Sequence, residues 1–201
     1  MSTPYEGTPY EMLRHLTLPI VAVTTSADGR RNGMIANSAQ RASLVPHIGR
    51  ISLYISKPNM THDLVYRSGV FGIHLLRDDQ YDVIRGLGLR SMREVEDKLD
   101  DFDVTKGVTG CPILDDCIAG FECTVVNAMD AGAATFFLGE IVREHEGSLD
   151  GTVMTSPHFR EHAPADLLEE YEARLHYAQQ ILAPISGTIT PQPWRGAVTR
   201  P

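Results

Sequence analysis

The sequence predicts a mainly β chain, with several antiparallel strands curled into a barrel, short helices between them and a helical extension at the C-terminus. Three observations lead there. Apolar runs of strand length recur between residues 19 and 146, bounded by Gly, Asp and Asn. The stretches between most of them are too short for the crossover helices of a parallel, doubly wound sheet. A long amphipathic stretch comes only after the strands end, and closing the sheet removes its exposed edges.

The first two strands lie in "PIVAVTTSADGRRNGMIANS", joined at Asp28-Gly29, a hairpin signal because Gly takes positive φ without steric cost. The stretch that follows, "NGMIANSAQRASLVP" (32–46), holds small hydrogen-bonding residues where a core strand would carry bulky ones. "RISLYIS" is a strand with Ile51, Leu53 and Ile55 on one face and Ser52, Tyr54 and Ser56 on the other. "KPNMTHDLVYRSG" predicts a short helix, capped by Asn59 or Thr61 and stopped at Gly69. "VFGIHLL" returns as a strand and "DDQYDVIRGLG" as a short helix, while the charged "SMREVEDKLDDFDVTKG" reads as a solvated surface excursion. Two long β segments follow, "CIAGFECTVVNAMDAG" and "ATFFLGEIVREHEG", and "GTVMTS" offers one more strand.

From Ser156 the pattern changes. "APADLLEEYEARLHYAQQILAP" places Leu167, Leu168, Tyr171, Leu175, Ala178, Ile181 and Leu182 on one broad helical face. The tail with the single tryptophan, Trp194, reads as an extended arm. The expected division is therefore residues 1–150 for the barrel and 151–201 for the helix and arm.

The whole chain, 201 residues with a formal charge of −8, is sized for one domain and lacks the positive footprint that nucleic acid or an anionic membrane requires. No basic leader precedes an apolar run and no stretch is apolar enough to span a bilayer, so a cytoplasmic protein is expected. Cys111, Cys117 and Cys123 fall at a spacing of six that matches no zinc pattern, and are expected to be small buried thiols. The histidines make no zinc-binding spacing, so no metal is expected. In "HFREH", Arg160 stands between two histidines, where it could meet a phosphate or carboxylate.

The order of "PIVAVTTSADGRRNGMIANS", "LYISKPNMTHDLVYRSGVFGIHLL", "GCPILDDCIAGFECTVV" and "GAATFFLGEIV" resembles the flavin reductase-like, FMN-binding split-barrel family, from about Pro19 to Glu144. That resemblance implies a six-stranded antiparallel split barrel and a homodimer with flavin near the subunit interface. It further implies electron transfer from NAD(P)H to FMN, with FAD as the alternative. It places Met34, Ile35, Ala36, Asn37 and Ser38 against the flavin ring, where short side chains and backbone N–H groups permit close approach. The competing reading of these residues is an ordinary polar barrel rim.

In "SKPNMTH", a flavin phosphate would find Lys57 just before a helix start, with Ser56, Asn59 and Thr61 as side-chain donors. The plain alternative is a helix cap. His62 either touches that phosphate or braces the helix. One departure bears on mechanism: many reductases of this family carry Gly-Asp-His in the turn where this chain has Gly132, Ala133 and Ala134. A polar contact to the nicotinamide dinucleotide must then come from elsewhere, or NAD(P)H is not the reductant. Three functions follow as expectations: a reductase, with a monooxygenase as the partner that would receive reduced flavin; a flavin-binding electron carrier or a flavoenzyme with its own organic substrate; or a non-enzymatic barrel holding haem or another ligand.

Overall fold

The computed structural model describes residues 16, 18–90 and 96–190. Most of the expected arm, with Trp194, falls outside the described residues. The strands β1 (Val21–Ala27) and β2 (Arg30–Ala36) form the predicted hairpin. Asp28 and Gly29 have φ of 53° and 75°, the double left-handed turn whose twist matches that of the flanking strands. Then come β3 (Gln40–Arg41), β4 (Arg50–Ser56), the helix α1 (Met60–Ser68) and β5 (Val70–Leu75). Gly69 stops α1 at φ 67°, and its N–H donates to the Val65 carbonyl. Asn59 stands at the N-cap position, but its side chain makes no capping bond.

The predicted second helix is a three-residue α2 (Tyr81–Val83) that widens into a π-helix over Ile84–Leu89. After it, β6 (Val104–Lys106) and β7 (Pro112–Leu114) form a separate two-stranded ribbon. The long strands β8 (Ala119–Asp130) and β9 (Ala134–Glu146) pair with each other, with bulges at Glu122/Cys123 and Val125/Asn127. The chain then enters α3 (Ser156–His162) and the 22-residue α4 (Ala165–Ser186).

The main sheet is antiparallel throughout, in the order β2-β1-β5-β8-β9-β4-β3. Among the described residues it has seven strands where six were expected. The extra one is β3, inside the small-residue stretch, where the chain turns back and pairs Gln40 with Ser52 and Arg41 with Ile51. "GTVMTS" forms only isolated bridges, at Val153 and Thr155.

Period-2 alternation divides the core between the two faces of the sheet. Val21 and Val23 pack with Leu53, Phe71 and Phe137 on one face, whereas Ala22 joins Leu76, Leu87, Met154 and Phe159 on the other. The charged stretch before β6 departs from its expected surface course: Leu99 is fully buried in the second cluster, and Lys98 is 7 % exposed. The Lys98 ammonium donates to the carbonyls of Leu87 (2.9 Å) and Gly33 (3.2 Å), which makes burial of its stem tolerable.

The three thiols are free and buried, as expected, and desolvation pushes Cys111 and Cys117 up to about 11 and Cys123 up to about 12. At neutral pH they stay protonated and are poor nucleophiles. No helix among the described residues is long and apolar enough to cross a membrane.

Candidate functional site

A groove of about 960 Å³ opens where β2, the start of α1, the π-helix and α4 meet. Each wall has a local cause. Period 2 in β2 points Asn32 and Met34 to the same side. Pro58 fixes the chain entering α1, and the π-helix widens the backbone beside Arg85 and Leu87. From the far side, α4 brings Arg174, Tyr177 and Ile181.

Four of the ten residues expected at the site line this groove: Met34, Ile35, Asn59 and Thr61. The Thr61 hydroxyl accepts from Asn32 Nδ2 at 3.0 Å, and Asn59 Nδ2 lies 3.9 Å from Met34 Sδ. Ala36 is packed into the barrel core, so its backbone and its small size are what it offers. Asn37 is exposed just beyond β2. The Ser38 hydroxyl donates to the Tyr54 carbonyl at 2.9 Å and ties the loop to β4.

Ser56 ends β4, its carbonyl accepting from the Asn59 N–H at 3.1 Å. Lys57 stands at the rim, outside the groove lining, with its ammonium 2.8 Å from Asp130 Oδ1. That carboxylate also receives the N–H groups of Gly132 (2.9 Å) and Thr190 (3.1 Å). These contacts, the Lys57 bond foremost, hold Asp130 well below the usual carboxylate range. His62 takes the bracing position: 8 % exposed, it meets Thr135 Oγ1 at 2.8 Å and packs against Tyr66 and Phe137.

The turn Gly132-Ala133-Ala134 presents nothing polar. Both alanines are buried, and a Cβ on Gly132 would run into the Ser186 carbonyl at the end of α4. Arg160, which the sequence offered for a phosphate or a carboxylate, meets a carboxylate of its own chain: it pairs with Glu172 at 2.7 Å and lies over the Tyr171 ring.

A family model described as "Flavin reductase like domain" matches residues 13–161. The chain belongs to this family. It is 32% identical over 147 residues to the ferric-chelate reductase (NAD(P)H) of Archaeoglobus fulgidus, a match covering 72% of this chain and 85% of the relative. It is 30% identical over 133 residues to a probable flavin reductase of Rhizobium meliloti, covering 65% of this chain but only 41% of that longer protein. Among solved structures, an FMN-binding protein of Thermus thermophilus with bound p-hydroxybenzaldehyde superposes with a TM-score of 0.61 at 25% identity, over 73% of this chain and 79% of that one.

Flavin reductase-like architecture gives the groove residues a test of fit. Asn32 is 2 % exposed, and its Oδ1 is buried without a hydrogen-bond partner among the described residues. An unmatched buried acceptor is costly, and a ring N–H or a ribityl hydroxyl is the kind of donor that would satisfy it. Beside it lie Met34, Ile35 and Leu87, suited to the flat face of a flavin, and the amino end of the nine-residue α1, suited to its phosphate. The residues present fit the cofactor.

Asn32 escaped the sequence reading because it sits within a strand, and the α4 residues because helical periodicity showed only which face was apolar. The nearest signal was that Arg174 and Tyr177 interrupt or border that apolar face.

Proposed function

We propose that this chain is an NAD(P)H:flavin oxidoreductase holding FMN, or FAD, in the groove between β2, α1 and α4. The observation that carries this is the juxtaposition of the unmatched Asn32 acceptor, the Met34–Ile35 face and the start of α1 in a flavin reductase-like fold. When bound, the flavin supplies the hydride acceptor, so the protein needs no nucleophile or general base of its own. Its residues bind and orient. Met34 on one side of β2 and Ile35 with Leu87 on the other exclude water, Asn32 and Thr61 form a hydrogen-bonding pair at the groove floor, and Asn37 and Ser38 border the loop beyond β2.

At the rim, Lys57 and Ser56 await the phosphate with Asn59, and Asp130 keeps the Lys57 ammonium in place between ligands. Lys57→Ala is accordingly expected to weaken FMN about tenfold or more while leaving riboflavin, which has no phosphate, within about twofold, measured by fluorescence titration. Equal weakening of both would remove Lys57 from the phosphate site.

A homodimer fits a second, largely apolar cavity of about 540 Å³ lined by Val45, Ile51, Ile73, Phe121 and Ile141, beside the strongly exposed Leu44. A monooxygenase receiving reduced flavin is the partner this activity would serve.

The covered turn at 132–134 favours a second reading, an electron carrier or a flavoenzyme with a dedicated substrate, in which the flavin stays bound and NADH reduces it slowly. The visible spectrum of the purified protein, recorded without oxygen before and after NADH, separates the two. A flavin band that bleaches within seconds is the expected result; a band that persists selects the carrier, and no band after soaking with FMN overturns the cofactor.

A further inference from the structure

The helix α4 is held at both ends and loosely packed between them. At its amino end Leu167 is packed into the core, Asp166 pairs with Arg85, and the Tyr171 ring meets Phe159 edge-on with centroids 5.2 Å apart. Beyond Leu167 no residue of α4 is buried. Leu175, Ala178, Ile181 and Leu182, whose apolar face predicts a core, stay partly exposed, and Ala178 and Ile181 line the groove. A helical stretch with so little buried surface belongs to the low-stability part of a fold.

The carboxy end is nevertheless tied down at one point. The Ser186 carbonyl stands against Gly132, in the turn between β8 and β9, with the Ile189 side chain beside it. Gly132 has φ of 78° and no room for a Cβ, so only glycine permits this approach. One hydrogen bond clips the contact: Asp130 Oδ2 accepts the Thr190 N–H at 3.1 Å, while Oδ1 holds Gly132 and Lys57. Two residues before Ser186, Pro184 lies inside the helix and has no N–H to give the Gln180 carbonyl, which weakens the last turn. The carboxylate that clips α4 is thus the one that holds the ammonium at the groove rim.

We propose that the carboxy-terminal half of α4 is a gate over the groove: clipped to the turn at 130–132 it retains the flavin, and unclipped it lets the flavin pass. The inference rests on the groove being the flavin site and assigns to α4 the holding of flavin between turnovers. Opening breaks one hydrogen bond and one backbone contact, with little apolar surface uncovered. A gate differs from a fixed wall in its kinetics. Loosening a wall removes contacts to bound flavin and speeds release alone, whereas loosening a gate speeds entry and release together, because both pass through the open state.

The test is stopped-flow fluorescence of FMN binding and release by the full-length chain, in the wild type, Thr190→Pro and Gly132→Ala. Thr190→Pro deletes the clipping N–H at an exposed position, and Gly132→Ala pushes the Ser186 carbonyl away. Each is expected to raise the association and release rates about fivefold, the worth of one hydrogen bond. Hydrogen exchange read by mass spectrometry is expected to quicken over residues 174–186 in both variants, and FMN is expected to slow it in the wild type. Thr190→Pro decides the matter if Gly132→Ala does not fold. Release quickened with association unchanged, both rates unchanged, or exchange no faster in either variant overturns the gate and leaves the flavin site standing. A wild-type chain that binds no FMN overturns the flavin reading itself, and the gate with it.

Discussion

Glu122→Ala is expected to lower the thermal midpoint by about 10 °C, the largest effect of any single substitution argued for this fold. The Glu122 side chain has no solvent exposure, yet it is fully matched. It accepts from the N–H groups of Val108 (3.1 Å) and Thr109 (2.7 Å), from the Thr109 hydroxyl (2.6 Å) and from His145 Nε2 (2.7 Å). Desolvation alone would raise its pKa, but these four donors outweigh burial and the carboxyl sits below its ordinary value.

The loop at 107–109 wraps the carboxylate so closely that a Cβ on Gly107 would run into it. Removing the acceptor strands inward-facing backbone donors and His145 together, at a cost of about 3–5 kcal/mol. A chain of this size shifts by about 2–4 °C per kcal/mol. Differential scanning calorimetry at neutral pH checks the result, and a midpoint within about 2 °C of the wild type would show that water replaces the carboxylate at little cost.

Legibility in the sequence followed periodicity. Strands β1, β2, β4 and β5 were readable because alternation and turn chemistry agree, as at Asp28-Gly29, where two positive φ angles coincide with the Asp-Gly pair. The long β8 and β9 were readable for the same reason, but their bulges were not, since an extra residue in one strand leaves no local trace.

The segment with Lys98 and Leu99 misled because charge density suggested solvent. The fold instead threads one apolar and one long amphipathic side chain inward, with two backbone carbonyls receiving the ammonium. At the site, Met34, Ile35, Asn59 and Thr61 were reached through resemblance to a family. Asn32 and the α4 wall depend on which elements meet in space, and no local pattern carries that. His62 had two readings in the sequence, and Thr135, more than 70 positions away, favours the bracing one.

The second large effect is a pH dependence with a specific sign. The stability of this protein is expected to fall by about 3 kcal/mol between pH 7 and pH 4 through His74 alone, at up to about 1.4 kcal/mol per pH unit. Burial lowers His74 from 6.5 to about 4, with His145 pushing the same way and the Ala22 carbonyl and Glu122 partly opposing. The geometry explains why the neutral ring is required. The Leu114 N–H points at Nε2 from 3.1 Å, so that nitrogen must accept, and Nδ1 donates to the Ala22 carbonyl at 3.3 Å. A proton on Nε2 would set donor against donor at the Leu114 N–H.

Between pH 6.5 and 4 the unfolded chain therefore binds a proton that the native state refuses, and stability is lost as pH falls through that window. Glu122 adds its own loss only below about 4.5, where an unfolded glutamate protonates, so the two are separable. Urea unfolding at intervals from pH 7 to 5 should show the slope in the wild type and a flatter line in His74→Gln; parallel lines would clear His74 of the effect.

The consequence reaches the groove by register, since Ala22 pairs with His74 on one side and with Ile35 on the other. The row that carries the buried imidazole thus ends at the proposed flavin face. FMN bound there adds a constant increment to native stability and should raise the curve of stability against pH without tilting it, provided its affinity does not change with His74 protonation. A steeper slope with FMN bound would show that the proton on His74 is felt across that row at the groove.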